Sequence, residues 1–228
     1  MGHLLAQLPS FFTYYNALFL VSALASTFAL TAIGCGVGLI LGFVIAVLRR
    51  TQARAAAPLR LSLIVLVELF RRIPFLVTLL LVFYGAQVAG LNVSLFAIAS
   101  TSVCLIATAY ISEIVRAGLD SVHPNQWDSA AVSNFTLLQT LRLVVVPQAW
   151  LVMLPPAFAF FLLFLKDSAL ASQIGVVELT YAGKVLNNRG FSPVLSFGTI
   201  LVLYFALSYP LMRLGQRMEV SLARPRHH

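Results

Sequence analysis

Residues 126–147 read QWDSAAVSNFTLLQTLRLVVVP, a tightly patterned and relatively polar stretch between long apolar runs. Pro124 and Asn125 make a favourable helix start, so residues 126–133 are predicted to form a short helix. Asn134 follows where that helix should stop, and Asn tolerates the left-handed backbone that closes a helix C-terminus. The stretch therefore predicts a helix that ends in a sharp elbow.

The residues after the elbow carry a second helix-start signal. Thr136 and Gln139 have the spacing of a capping box, in which the Thr hydroxyl accepts from a free backbone N–H and the Gln side chain reaches back. A second short helix is predicted from residue 137 toward residue 147. Two short helices joined by a sharp turn at Asn134, the elbow, would form a rigid protruding segment. Residues 126–147 are called the knuckle below. The alternative is an ordinary connection between two membrane spans.

The composition limits the class of protein. Of 228 residues, 60% are hydrophobic and 10% are charged, and the mean hydropathy is +0.94. This profile is typical of an all-α protein that crosses a membrane several times, and it excludes a soluble enzyme of this size. The net charge of +8 comes mostly from arginines beside apolar segments. Cytoplasmic flanks of membrane spans have this character, so no nucleic-acid partner is expected.

Five apolar stretches are long enough to cross a hydrocarbon core about 30 Å thick. They cover residues 17–48, 61–88, 93–114, 144–170 and 191–214. The first contains Gly34, Gly38 and Gly42 at four-residue spacing, which predicts close packing against another helix. Residues 1–228 are thus predicted to form a single transmembrane domain. No internal repeat is evident, so a two-fold symmetric pathway would need a second subunit.

The distribution of basic residues predicts the orientation. Twelve of the fifteen Lys and Arg residues flank the span ends that are assigned to the cytoplasm. The N-terminus is therefore expected outside and the C-terminus inside. The arginines at the first loop and at the tail are Arg49, Arg50, Arg54, Arg60, Arg213, Arg217, Arg224 and Arg226.

Several kinds of chemistry lack the residues they need. The sequence has no G-x-x-x-x-G-K-[ST] phosphate loop, so the chain is not expected to bind ATP by that motif. No His, Cys or carboxylate cluster has the spacing of a metal site. The histidines lie at the termini or in a loop, at His3, His123, His227 and His228. No catalytic, cofactor-binding or metal-binding residue is predicted, and the chain is not expected to be an enzyme.

Charged residues gather near the ends of the second and third predicted spans. The motif ELFRRIP at residues 68–74 sets three charges before a proline, which bends a helix and frees a carbonyl. In the third span, Glu113 and Arg116 lie one turn apart on one face and are expected to pair. These groups are predicted at the inner mouth of the bundle, either as structural ion pairs or as substrate contacts. The set is Glu68, Arg71, Arg72, Glu113 and Arg116.

The triplet Lys166-Asp167-Ser168 lies deep in the fourth predicted span. Charges inside membrane spans are expensive, so they mark functional sites. In a substrate site, Asp167 would meet an α-ammonium group and Lys166 an α-carboxylate. The alternative is an ion pair between the two, or a plain wall of the pathway. Thr108 in the third span joins this candidate substrate pathway.

The knuckle resembles the EAA loop in the membrane subunit of ATP-binding-cassette (ABC) importers. That motif reads Glu-Ala-Ala, three residues, Gly, nine residues, then Ile-x-Leu-Pro. Here the matching positions are Asp128-Ser129-Ala130, Asn134 and VVVP at residues 144–147. From about residue 22 to residue 214 the chain resembles polar-amino-acid permeases. The similar segments are VELFRRIPF (67–75), AYISEIVRAG (109–118), QW (126–127), PQA (147–149), LPP (154–156) and LKDSAL (165–170).

The resemblance implies a type I ABC importer fold in a bacterial cytoplasmic (inner) membrane. Two permease subunits, identical or homologous, would line one pathway, and two separate ATPase subunits would bind ATP and Mg. An external or periplasmic solute-binding protein would deliver a polar amino acid or an opine-like zwitterion. Residues 120–147 would form the cytoplasmic loop that docks on an ATPase. Its coupling residues would be Gln126, Trp127, Asp128, Ser129, Ala130, Asn134 and Pro147.

Two other classes of protein are alternatives. An ion-coupled secondary transporter or channel subunit would usually carry its own repeat or more intramembrane acids, and neither is seen in the sequence. A scaffold subunit without a pathway would have little use for the charges of the Lys166-Asp167-Ser168 triplet.

Overall fold

The computed structural model describes the backbone of residues 2–50 and 57–223, and the side chains of residues 6–50 and 57–222. Arg54, Arg224, Arg226, His227 and His228 lie outside these ranges, as does the side chain of His3. Within the described ranges the regular structure is helical. The α-helices are α1 (Gly2–Phe11), α2 (Tyr14–Arg50), α3 (Ala57–Arg72), α4 (Phe75–Val88), α5 (Leu95–Asp120), α6 (Pro124–Val132), α7 (Leu137–Gln139), α8 (Val146–Asp167), α9 (Leu179–Asn188) and α10 (Pro193–Ala223).

Four helical stretches of the described chain are long and apolar enough to cross a membrane. They are Tyr14–Arg50, Leu95–Asp120, Leu137–Ile174 and Pro193–Leu222, and they correspond to the first, third, fourth and fifth predicted spans. The second predicted span is two helices instead, α3 and α4. Since α4 has 14 residues, it extends about 21 Å, which is short of a core about 30 Å thick. The continuous second span was wrong, while the count of five and the orientation stay predictions.

Pro74 is the reason for this break. Its φ of −57° and ψ of 141° are extended rather than helical, and a proline also pushes the residue before it out of the helical region. The Pro74 carbonyl then accepts from the N–H groups of Val77 and Thr78 at 3.0 and 3.2 Å. The sequence predicted a bend at this proline, and the structure shows a complete interruption with a new helix start.

The helix after the elbow also differs from its prediction. α7 leads into a π-helical turn at Thr140–Val145, and α8 follows directly. The predicted second short helix is therefore the first turn of a long helical stretch that passes through Pro147. Proline cannot donate the usual backbone hydrogen bond. A wider π turn just before it is a common way for a helix to absorb such a local irregularity.

The chain divides into two compact units, and the first contains the α9 segment. Its described residues are 2–35, 73–104 and 161–212. α9 buries Leu179, Ala182, Gly183 and Leu186 on one face, as an amphipathic helix does. These residues pack in a core with members of α1, α2 and α10, including Phe11, Leu20, Ala23 and Ile200.

The second unit contains the knuckle. Its described residues are 36–50, 57–72, 105–160 and 213–223. α2 and α5 approach closely here, since a Cβ added at Gly38 would lie 2.4 Å from the Ala107 Cβ. One added at Gly42 would lie 2.8 Å from the Ser112 backbone nitrogen. The close packing predicted from the glycine spacing is confirmed at these positions.

Candidate functional site

The C-terminus of α6 is closed by the predicted elbow. Asn134 has a φ of 57°, in the left-handed region. The Phe135 N–H donates to the Ala130 carbonyl and the Asn134 N–H to the Ala131 carbonyl, both at 3.0 Å. This pair of bonds is the Schellman motif that ends many helices. The left-handed backbone predicted for Asn134 is confirmed.

The two helix starts that flank the elbow are also capped by side chains. His123 Nδ1 accepts from the Asn125 N–H at 3.2 Å at the start of α6, where Pro124 occupies the first turn. Thr136 Oγ1 accepts from the Gln139 N–H at 3.3 Å, and Gln139 Oε1 accepts from the Thr136 N–H at 2.8 Å. The predicted capping box is therefore present. Caps on both sides of the elbow fix the direction of α6.

α6 presents different residues to the protein and to the surroundings. Trp127 is half-buried and Ala130 is buried, three residues apart on the inner face. Asp128 and Ser129 are exposed, and so is Gln126, whose Oε1 accepts from Gln148 Nε2 at 3.3 Å. The predicted coupling residues therefore divide between an inner face that holds α6 and an outer face that is accessible. Asn134 and Pro147 are exposed as well.

Large apolar side chains are exposed around the elbow. Val132 is 84% exposed, Leu138 74% and Leu137 57%. They stand next to exposed polar residues of α6 in the sequence. Exposed apolar side chains of this kind are typical of a surface that contacts another protein or lipid, and Leu137 and Leu138 begin a stretch that is apolar enough to cross a membrane.

Glu113 is the centre of ion pairs from three helices. Arg49 Nη1, at the end of α2, lies 3.3 Å from Glu113 Oε2. Arg71 Nη1, at the end of α3, lies 3.8 Å from the same oxygen. Arg116 Nε donates to the other oxygen, Oε1, at 2.8 Å. The predicted pairing of Glu113 with Arg116 is confirmed. The ion pairs of Glu113 also connect the C-terminal parts of α2, α3 and α5.

Glu68 extends this network along α3. Arg72 Nη2 lies 2.9 Å from Glu68 Oε2, and Arg71 Nη1 lies 3.5 Å from Glu68 Oε1. Arg71 therefore connects Glu68 to Glu113, and its backbone carbonyl accepts from the Tyr110 hydroxyl at 3.1 Å. The structure brings all five predicted inner-mouth charges into one network of ion pairs.

Arg50, the last residue of α2, joins α6 to this part of the protein. Its guanidinium carbon lies 4.2 Å from the centroid of the Trp127 ring, in cation–π geometry. Its Nη1 lies 2.5 Å from Asp120 Oδ1 at the end of α5.

The Lys166-Asp167-Ser168 triplet lies at the junction of α8 with the 3₁₀ segment Ser168–Ile174. Ser168 is buried and its Oγ donates to the Leu165 carbonyl at 2.8 Å. Lys166 is exposed and Asp167 half-buried. In the described part of the chain no ion pair joins them. The alternative of a Lys–Asp ion pair is thus not formed, whereas Thr108, also in the predicted pathway, is buried in the other unit.

Several members of the network are not among the predicted site residues. The sequence pattern predicts Arg49 and Arg50 only as charges of the first loop, although both bind acids of α5. Asp120 follows Arg116 by four residues, which is a known helix pairing distance and was an available signal. The inward direction of Trp127 had no sequence signal of its own.

Residues 34–218 match the family described as "Binding-protein-dependent transport system inner membrane component". The chain belongs to this family. This permease is 32% identical over 190 residues to the probable glutamine ABC transporter permease protein GlnP of Bacillus subtilis (strain 168), covering 81% of this chain and 86% of the relative. It is 34% identical over 169 residues to the L-cystine transport system permease protein TcyB of the same organism, covering 74% and 71%.

A solved structure described as "Crystal structure of an amino acid ABC transporter with histidines" is similar over the whole permease. The TM-score is 0.82 at 27% identity, and the match covers 96% of this chain and 98% of that chain. The resemblance to ABC importer permeases that the motifs predicted is confirmed. The permease is a multi-pass helical membrane protein and a component of a transport system.

Proposed function

We propose that the permease forms the translocation pathway of an ATP-driven importer and couples to a separate ATPase through residues 126–147. The observation that carries this proposal is the fixed direction of α6. Its C-terminal elbow at Asn134 is hydrogen-bonded on both sides, and its outer face exposes Asp128 and Ser129. A short helix held in this way transmits a movement of the ATPase better than a flexible loop would. Rigid-body rocking of the subunits would then open the pathway alternately to the two sides of the membrane.

Membership of the family supports a complex with ATPase and binding-protein partners, and we propose the following arrangement. Two ATPase subunits bind ATP and Mg, and a second permease subunit, identical or homologous, completes the pathway. An external or periplasmic solute-binding protein delivers substrate to the outer side of the bacterial inner membrane. α6 lies at the cytoplasmic side, as the positions of the arginines favour.

The proposed substrate is a polar amino acid or a related zwitterion such as an opine. The names of the relatives, which refer to glutamine and cystine, support this class. Asp167 and Lys166 carry opposite charges at adjacent positions and do not pair with each other, which suits an α-ammonium and an α-carboxylate. Charges in a membrane span that lack an internal partner are expected to face a pathway or another subunit.

The coupling is tested on the complex of the permease, its cognate ATPase and the binding protein in lipid nanodiscs. ATP hydrolysis and its stimulation by loaded binding protein are measured for wild type, Asp128→Leu and Gln87→Leu. Asp128 is on the outer face of α6, whereas Gln87 is an exposed residue at the end of α4 and serves as the control. Asp128→Leu is expected to weaken ATPase association and to lower the stimulated rate. Stimulation at the wild-type level in Asp128→Leu contradicts docking through α6.

The substrate site is tested with Asp167→Asn in proteoliposomes. Loss of one charge-assisted hydrogen bond removes about 1.5–3 kcal/mol, so uptake of the cognate amino acid is expected to fall roughly tenfold or more. Stimulation of ATP hydrolysis by the unloaded binding protein is measured in parallel to show that the complex still assembles. Uptake at the wild-type rate means that Asp167 does not contact the substrate.

A further inference from the structure

A continuous series of side-chain contacts runs from the inner face of α6 into the ends of three other helices. It begins with the Trp127 ring, which lies 4.2 Å from the Arg50 guanidinium carbon. Arg50 Nη1 is 2.5 Å from Asp120 Oδ1. Asp120 Oδ2 is in turn 2.7 Å from Arg116 Nη1, and Arg116 binds Glu113.

Glu113 connects this series of contacts to two further helices. Arg49 at the end of α2 and Arg71 at the end of α3 both lie within 4 Å of its Oε2. All of these residues belong to the same compact unit. A displacement of Trp127 therefore has a contiguous route to α2, α3 and α5, which consists of one cation–π contact followed by ion pairs.

Arg50 has a combination of properties that the other members lack. It contacts α6 through its guanidinium carbon, which lies over the Trp127 ring, and α5 through Nη1, while its own backbone ends α2. A planar guanidinium can stack and hydrogen-bond at the same time, whereas an ammonium group presents a point charge without a stacking plane. Its side chain is about one-third exposed, so its ion pair with Asp120 alone would contribute little to folding.

We propose that Arg50 is a positioning residue that transmits the displacement of α6 to the ends of α2 and α5. The inference rests on the proposed docking of α6 on the ATPase and adds the next step inside the permease. In this role Arg50 acts through Trp127 and Asp120 rather than by its own contact with the ATPase or the substrate. It sets how much of the movement of α6 reaches the spans.

The test measures the number of ATP molecules hydrolysed per substrate molecule imported, in proteoliposomes that contain the permease, the cognate ATPase and the binding protein. Arg50→Gln and Trp127→Leu are each expected to raise this ratio about two- to fivefold, which is the range expected for one cation–π contact. The double variant is expected to give the same ratio as either single variant, because both remove one shared contact. Arg50→Lys keeps the charge for Asp120 and is expected to recover part of the coupling.

Arg60→Gln is the matched control, because Arg60 is an exposed arginine on α3 and its loss changes the net charge equally. It is expected to keep the wild-type ratio. Thermal unfolding and ATPase association are measured for each variant, so that a folding or docking defect is separated from a loss of coupling.

Additive effects of Arg50→Gln and Trp127→Leu, or a wild-type ratio in either, overturn the inference while leaving α6 docking intact. A loss of ATPase association in a normally folded Arg50→Gln also overturns it, since Arg50 would then support the docking surface itself. If Asp128→Leu associates and couples like wild type, the proposed docking fails and this inference fails with it.

Discussion

At the scale of single residues, Asn134 decides the direction of the knuckle. Its φ of 57° is the one positive value among non-glycine residues of the described chain. Asn adopts this backbone at less cost than most residues, and a β-branched residue adopts it at a high cost. The Asn found where the related motif has Gly therefore preserves the elbow.

Asn134→Ile is expected to destabilise the permease by about 1–2 kcal/mol, because the left-handed backbone places Cβ against the following carbonyl. Asn134→Gly should be near neutral. The midpoint of thermal unfolding in detergent measures both. Ser133→Ile is the control, since the adjacent Ser133 is exposed and has an ordinary φ of −79°. Equal effects of Asn134→Ile and Ser133→Ile on the unfolding midpoint would show that the left-handed backbone at residue 134 does not restrict the choice of residue there.

The burial of Glu178 changes the pKa of its carboxyl group. It is fully buried before α9, where its carboxylate accepts from the Thr180 and Tyr181 N–H groups at 2.9 and 2.7 Å. The Tyr204 hydroxyl donates to it at 2.9 Å. Burial raises the pKa of Glu178, and these hydrogen bonds oppose the rise only in part.

The raised pKa of Glu178 predicts a pH dependence of stability. The folded chain holds this proton more tightly than the unfolded chain, whose Glu pKa is about 4.3. The free energy of unfolding should therefore fall as the pH rises from about 4.3 through the raised pKa, and this contribution should level off above it. Glu178→Gln is expected to remove this slope in thermal unfolding measured across pH. Glu219→Gln, which changes an exposed glutamate, should keep the slope.

At the scale of elements, the close approach of α2 to α5 depends on the absence of a side chain at Gly38. An added Cβ would meet the Ala107 Cβ at 2.4 Å and the Thr108 backbone nitrogen at 3.0 Å. Relief of such a clash would require the two helices to separate. Gly36, by contrast, has nothing within 4 Å of an added Cβ.

Gly38→Ala is expected to lower the stability of the permease by roughly 1–3 kcal/mol, the usual effect of overpacking. Gly36→Ala is the matched control and should be neutral or slightly stabilising, since alanine favours a helix. Thermal unfolding in detergent compares the two. The double variant Gly38→Ala with Ala107→Gly should regain part of the loss. Equal stability of the two single variants would contradict the close approach.

At the scale of the whole molecule, the proposed function assigns the pathway to the permease and the supply of energy to partner subunits. The sequence has no phosphate loop, and the family is that of a membrane component in a binding-protein-dependent system. Uptake into proteoliposomes that contain the complex is expected to require internal ATP and the loaded binding protein. Ionophores that collapse proton and sodium gradients should leave this uptake unchanged. Uptake driven by an ion gradient without ATP would favour the secondary-transporter alternative.

Features that depend on residues close together along the chain could be predicted from the sequence. The cap at Thr136, the left-handed Asn134 and the Glu113–Arg116 pair all involve residues within five positions along the chain. Their geometry follows from local backbone rules, so motif spacing was sufficient. The same is true of the family, which residues spread over most of the chain specify by their types and spacing.

Tertiary structure alone decided which helix ends meet. Arg49 reaches Glu113, Arg50 reaches Trp127, and these contacts span more than 60 positions of sequence. Charge pairing is not selective among several arginines and acids, because any opposite pair gains a similar energy at equal distance. Only the packing of α2 against α5 determines which pairs come within reach. The complete break at Pro74 is of the same kind, since a proline allows either a kink or an interruption and the surrounding packing selects between them.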